Sequence, residues 1–273
     1  MPIALITDFG TQDSYVGVMK GVIATLAPQA LVIDLTHDLP PQDCYAARFA
    51  LLSAYPYLPL GTVYLVVVDP GVGTRRRAVA VQTGRGLLVG PDNGVLTGVL
   101  GGVLRDGIEG EPGCRAVELT TPDYWRGPAP SATFHGRDIF APVAAHLANG
   151  LDLDRLGPGI DPQSLVRLPL ATAVATATGW EGMVQYLDRF GNGATTIPAE
   201  AVAAGPWRLS VGAVTLPGAR TYGDVPVGEA LALVGSHGFV EIAVNQGSAA
   251  ERLGLRVRDR TSITLLSASG PCR

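Results

Sequence analysis

Short apolar runs punctuated by turn residues dominate the first half of the chain. Residues 3–7, 31–35, 62–68 and 86–90 are brief, rich in branched side chains and bounded by Gly, Pro or Asp. Such runs read as strands, and the run 62–68 as one buried on both faces. Between them lie segments of helical period. Residues 13–26 place Tyr15, Met19, Val22, Ile23 and Leu26 on one side. Residues 43–55 form a second such segment, with Pro56 beyond its end. Residues 138–148 form a third, with Pro142 in the first turn, where proline is tolerated. This alternation over residues 1–160 predicts an α/β domain built on a mostly parallel sheet with helices on both faces.

The punctuation changes near Gly157-Pro158-Gly159-Ile160-Asp161-Pro162. From residue 179 onward, short apolar runs are separated by Gly, Pro, Asn and Asp. Residues 182–187, 207–211, 230–234 and 240–244 read as strands of a small barrel or sandwich. The chain therefore divides into an α/β domain over 1–160, a connector over 161–178 and a smaller β domain over 179–273. No internal repeat is visible.

Composition narrows the classes. The chain has 273 residues, 47% of them hydrophobic, enough for a sizeable core. No apolar run approaches the ~18 residues of a membrane helix. A strand signal begins at Ile3, so no signal peptide is expected, and the three cysteines, Cys44, Cys114 and Cys272, fit a reducing cytoplasm. A net charge of −4 without a basic block argues against a nucleic-acid surface. Lys20 is the only lysine.

Three of the strands end on carboxylates. Asp8 follows residues 3–7, Asp69 follows 62–68, and Asp92 follows 86–90 within Pro91-Asp92-Asn93-Gly94. The carboxyl edge of an open α/β sheet is where ligands bind. Behind Asp69 come Pro70-Gly71-Val72-Gly73-Thr74-Arg75-Arg76-Arg77, a Gly-rich turn carrying arginines. Strand-end Asp residues also cap helices, and Asp-Asn-Gly is good turn chemistry, so Asp92 fits either reading. His135 stands alone before a helix; His37, His146 and His237 are isolated, with a surface or capping role as the default. No metal-ligand spacing pairs the histidines or cysteines, which makes zinc improbable. The turn at Gly71 lacks the third glycine of a dinucleotide loop and the lysine of a P-loop, and no Gly-x-Ser-x-Gly elbow is present. A carboxylate, an arginine and a histidine remain. Such a trio can orient and polarise water without a metal.

The motifs resemble those of the S-adenosylmethionine (SAM) hydroxide adenosyltransferases, or SAM hydrolases. They are Ile6-Thr7-Asp8-Phe9-Gly10, Asp13-Ser14-Tyr15-Val16-Gly17 and Lys20-Gly21, then Val68 to Thr74 and Pro91 to Gly94. Thr133-Phe134-His135-Gly136-Arg137-Asp138, Asp188-Arg189-Phe190-Gly191-Asn192 and Asn245-Gln246-Gly247-Ser248-Ala249 complete the set. The resemblance spans nearly the whole chain in order; fluorinase and chlorinase are relatives on the same fold. It implies an amino-terminal α/β domain, a carboxyl-terminal β-barrel and a homotrimer with SAM bound between neighbouring subunits. It also implies attack of water or hydroxide on C5′ of SAM, giving adenosine and L-methionine. SAM is then the substrate, and neither a cofactor nor a metal is required. Asp69, Arg76 and His135 fall on the water-activating trio.

Substrate contacts carry over residue by residue. Asp8 matches the carboxylate that grips both ribose hydroxyls. Asp13 and Asp188 match the acids that meet the methionine ammonium. Phe190 and Tyr222 match aromatic faces around adenine, with ordinary core packing as their other explanation, and Asn192 matches an adenine hydrogen-bonder. Ser236 matches a contact to the methionine carboxylate, and the neighbouring His237 stands where the fluorinase has arginine. Thr133 and Gly136 belong to the loop of His135, and Gly136 matches an open position of the chlorinase. Val244 and Gln246 would supply backbone groups. Three other readings stay open: halide transfer to C5′, which the Asp69 carboxylate disfavours by repelling halide; a metal-dependent hydrolase on Asp8, Asp69, Asp92 and His135; and a non-catalytic trimer that binds SAM or adenosine.

Overall fold

The computed structural model describes residues 1–100, 114–203 and 205–266; Cys272 lies outside them. The chain forms two compact units, Met1–Leu168 and Pro169–Arg273. Residues 161–166, within the stretch read as a connector, are hydrogen-bonded into the first unit through Arg77 and Asp92.

In the first unit, β1 (Ile3–Thr7), α1 (Tyr15–Leu26), β2 (Val32–Thr36), α2 (Cys44–Ala54) and β3 (Thr62–Val67) follow the predicted alternation. Then come β4 (Ala78–Gln82), β5 (Gly86–Pro91), β6 (Arg115–Glu118), α3 (Ala141–Ala148) and β7 (Gly159–Ile160). The sheet order is β2-β1-β3-β5-β4-β6-β7. Its parallel half, β2-β1-β3-β5, is extended by antiparallel strands. The switch has a simple cause: too few residues separate β4 from β5 for a crossover, so they form a hairpin. Alternation along β1 and β3 sends Ile3, Leu5, Val63, Leu65 and Val67 into one core with Met19 and Ile23 of α1 and Val143 and Leu147 of α3. Ala4, Ile6, Tyr64 and Val66 on the opposite face are equally buried. Strands buried on both faces leave function to their ends. Thr7 pairs with Val67, so β1 and β3 deliver Asp8 and Asp69 to the same carboxyl edge.

The second unit holds β8 (Val174–Ala175), β9 (Gly179–Leu187), β10 (Gly193–Pro198), β11 (Trp207–Val211) and β12 (Val214–Pro217). They are followed by β13 (Ala230–Val234), β14 (Phe239–Val244), the short α4 (Ala249–Leu253) and β15 (Arg260–Leu265). The order β12-β11-β15-β9-β10-β14-β13 runs antiparallel, and β8 flanks β9. A bridge between Gly218, just past β12, and Ala232 of β13 brings the two ends together, which makes the sheet a nearly closed barrel. Val184, Ile197, Leu209, Ile242 and Ile263 fill its interior.

Candidate active site

Asp69 leaves the end of β3 and enters a tight turn, in which the amide of Val72 donates to the Asp69 carbonyl and that of Thr74 to the Gly71 carbonyl. The turn brings Arg76 back onto Asp69. Arg76 Nε donates to both carboxylate oxygens at 2.9 and 3.0 Å, and Nη2 donates to Oδ2. Nη2 also lies 2.7 Å from His135 Nδ1. The side chains of Arg76 and Asp69 are only 10% and 6% exposed, so the pair is little screened by solvent. The guanidinium stacks over Phe140 at 5.2 Å.

The hydrogen placement on His135 follows. A guanidinium can only donate, so Nδ1 accepts and the ring hydrogen belongs on Nε2. Burial and the Arg76 charge hold the imidazole below its ordinary value, against the opposing pull of Asp69 and Asp138, which keeps it neutral near pH 7. The Nε2–H has no partner among the described residues and can donate to an oxygen at the site.

Two separate loops build this trio, and their fit depends on Gly73. It sits at φ +76°, and a Cβ there would lie 2.2 Å from the carbonyl oxygen of Ala132. Only glycine allows the arginine loop this close to the histidine loop. Asp138 holds the histidine loop from behind. Its buried carboxylate accepts from Arg137 at 2.6 and 2.7 Å and from the Ser131 amide at 2.8 Å. The Arg137 hydrogen bond, against burial, keeps this carboxyl below the usual carboxylate range. The chain passes through a π-helical turn, Gly136–Phe140, into α3, and Gly136 is buried within it. Thr133 is exposed, its amide donating to Ser131 Oγ. Asn93 Nδ2 donates to the Val68 carbonyl and so fixes the strand end before Asp69.

Asp8 belongs to the same edge. Its Oδ2 accepts from the Gln42 amide at 2.7 Å, and Oδ1 has no partner among the described residues. The Cys44 thiol at the start of α2 is pushed up to about 11 by burial and by Asp43, Asp69 and Asp8. Asp8 and Asp69 therefore act on one neighbourhood. Asp13 lies exposed before α1. Asp92 follows β5 at the same edge, but its carboxylate is already paired: its oxygens accept from Arg77 Nε at 2.8 Å and from the Val166 amide at 2.8 Å. It is a brace. Among the described residues no three His, Cys, Asp or Glu side chains converge as metal ligands.

The sequence-predicted residues of the second unit form their own cluster. Asp188 organises the β9–β10 turn, with Oδ1 accepting from the amides of Phe190 and Asn192 and Oδ2 from Asn192 Nδ2. The Asn245-to-Ala249 segment docks on this turn. The Ala250 amide donates to the Gly191 carbonyl, and a Cβ on Gly191 would meet Ser248 Oγ at 2.1 Å. Val244 is buried and Gln246 exposed. Phe190 and Tyr222 are 76% and 42% exposed, so ordinary core packing does not explain them. The Tyr222 hydroxyl donates to buried Glu241 at 2.9 Å and is pushed up to about 12, by burial and then by Glu241. His237 Nε2 lies 3.1 Å from the other Glu241 oxygen, and Nδ1 accepts from the Phe239 amide. Both ring nitrogens are thus engaged within the unit. Ser236 is exposed on the β13–β14 turn.

Gly73, Asn93, Asp138 and Glu241 carry out this positioning, and no role for them was assigned from the sequence. Gly73, Asn93 and Asp138 lie inside the family motifs, which is the one signal that could have marked them.

The model of the SAM hydroxide adenosyltransferase N-terminal domain matches residues 3–157, and that of its C-terminal domain matches residues 182–262. The chain belongs to the SAM hydroxide adenosyltransferase family. Relatives match over most of the chain. An (R)-S-adenosyl-L-methionine hydrolase of Thermus thermophilus is 49% identical over 93% of this chain and 96% of its own. One of Salinispora tropica is 46% identical over 96% of this chain and 97% of its own. A solved structure of an uncharacterized conserved protein from Thermotoga maritima superposes with TM-score 0.84 at 38% identity, covering 96% of this chain and 99% of that one. Fluorinases stand further off, at 27% identity for that of Actinopolyspora mzabensis. In this adenosyltransferase both motif groups are structural frames: each holds a turn that presents side chains.

Proposed function

We propose that this chain hydrolyses SAM at C5′ of the ribose, releasing adenosine and L-methionine. The observation that carries the reading is the hydrogen-bonded chain Asp69–Arg76–His135 at the sheet edge. A water oxygen bonds to C5′ as the C5′–S bond breaks; the electron pair of that bond passes to sulfur, and the water proton passes to the Asp69 carboxylate and on to solvent. The sulfonium departs as a neutral thioether, so the reaction calls for neither a metal nor an acid on that side. The difficulty is nucleophile delivery. Asp69 keeps lone pairs beyond those used by Arg76 and can accept a water hydrogen. Arg76 and the His135 Nε2–H stabilise hydroxide character on the oxygen. The same carboxylate disfavours halide as nucleophile.

Asp8, with one oxygen held by Gln42 and one free, grips the ribose hydroxyls; Asp13 and Asp188 meet the methionine ammonium. Phe190 and Tyr222 offer exposed aromatic faces to adenine, and Asn192 a hydrogen bond. Thr133, Gly136 and Ser236 contribute contacts, and Val244 and Gln246 backbone groups. His237, committed to Glu241, is not the carboxylate ligand. The names of the relatives point to the (R) sulfonium epimer as the preferred substrate. A cytoplasmic homotrimer with each site shared between neighbouring subunits completes the reading; among the described residues no helix is long and apolar enough to cross a membrane.

The test is incubation with each sulfonium epimer, with and without chloride and chelator, followed by separation of the nucleosides. Adenosine and methionine in equal amounts, formed faster from the (R) epimer and insensitive to both additions, are expected. Accumulation of 5′-chloro-5′-deoxyadenosine, or loss of activity with chelator, would contradict it.

A further inference from the structure

His37, for which the sequence suggests a surface or capping role, is only 6% exposed. It follows β2, beside the end of β1. Its Nδ1 lies 2.9 Å from Thr7 Oγ1, and its Nε2 lies 3.1 Å from Asp34 Oδ1 in a close but poorly aligned contact. The other Asp34 oxygen accepts from Lys20 Nζ at 2.5 Å. The carboxylate can only accept, which places the ring hydrogen on Nε2 and makes Nδ1 an acceptor for the Thr7 hydroxyl. The Thr7 oxygen in turn accepts from the Phe9 amide at 3.4 Å. The His37 carbonyl accepts from the Gly10 amide at 2.8 Å. The Phe9 amide, the Thr7 hydroxyl and the His37 ring thus form one relay whose donors run outward to Asp34, where Lys20 donates from the other side, and the Gly10 amide ties the far end of residues 7–10 to the His37 backbone.

Asp8 sits between the two anchored points. Thr7 is fully buried, so without His37 its hydroxyl would be left without an acceptor inside the protein. The network costs the burial of a histidine and a threonine hydroxyl at the end of an otherwise apolar strand. A leucine–valine contact would serve stability alone equally well.

We propose that His37 is a positioning residue for Asp8: through Thr7 and Gly10 it fixes the loop so that the free Asp8 oxygen is presented to the diol of a nucleoside. This rests on the role given to Asp8 above. The experiment measures adenosine affinity by calorimetry and KM and kcat with SAM for the full-length His37→Ala, His37→Asn and Thr7→Val variants. His37→Ala and Thr7→Val should each raise the adenosine Kd and the KM about tenfold and leave kcat within about threefold, the pattern of lost ground-state binding. His37→Asn, whose amide oxygen can replace Nδ1 as acceptor, should recover most of the affinity. The double variant should be no worse than either single one, because the two residues act in one chain. An unchanged adenosine Kd in Thr7→Val, with only the melting temperature lowered, would overturn the proposal, and so would a fall in kcat at constant KM. Affinity is read apart from turnover, so a wild type that binds adenosine without consuming SAM would overturn the reaction and not the positioning role.

Discussion

Arg76 serves two partners, Asp69 through Nε and Nη2 and His135 through Nη2. Removing any one member leaves the other two misaligned, and such units are strongly non-additive. Asp69→Asn, Arg76→Ala and His135→Ala should each lower kcat by about two to four orders of magnitude with SAM affinity little changed. Steady-state kinetics beside calorimetry checks this; the exposed Arg75 as alanine should stay within a few-fold of wild type. Arg77 differs from Arg75, because it braces Asp92 and the Ser164 carbonyl. Arg77→Ala should cost about 2 kcal/mol of stability by leaving Asp92 underpaired, and keep its turnover at low temperature. The state of His135 sets the pH profile. Its folded pKa lies below the ordinary 6.5, so neutral imidazole is the native form at and above that pH. As pH falls from 6.5 through the folded value, the ring takes a proton, Nδ1 can no longer accept from Arg76, and both stability and kcat decline. A kcat flat above pH 6.5 with its acid limb below is expected; a limb centred above 6.5 would contradict it. At this scale the trio was legible because its members sit in compact motifs. The brace at Asp92 and the burial of His37 were not, since Val166 and Thr7 lie far from them in sequence and only the fold brings them together.

At the scale of elements, the carboxyl edge was legible from apolar runs that stop at aspartate. The antiparallel half of the sheet was less so. β4 follows the arginine turn directly, and a short apolar strand beside charged residues has no period long enough to read. The π-helical turn before α3 likewise leaves no sequence signature, yet it follows His135 directly. The approach of the arginine loop and the histidine loop hangs on Gly73. Gly73→Ala should cost about 1–3 kcal/mol of stability through left-handed strain and the clash with Ala132, and lower kcat by separating Arg76 from His135. Thermal unfolding together with turnover tests this; a variant of wild-type stability and rate would show that the loops have room to spare.

For the whole molecule, the change of punctuation near residue 157 precedes the boundary between the units at Leu168 and Pro169, and the barrel of the second unit was expected from the family resemblance. Barrel closure draws on the bridge between Gly218 and Ala232 and on the hydrogen bond from the Ala219 amide to the Ala232 carbonyl, neither of which has a sequence signature. If the proposed trimer holds, sedimentation should give a mass of three chains, and activity should fall on dilution into monomers. A fully active monomer would contradict shared sites. Above these claims stands the reaction itself, water attacking C5′. Turnover of SAM in oxygen-18 water, read by mass spectrometry of both products, tests it most directly. The account predicts one label in adenosine, at the 5′-hydroxyl, and none in methionine. Unlabelled adenosine, or labelled homoserine accompanied by 5′-methylthioadenosine, would place the attack elsewhere and contradict it.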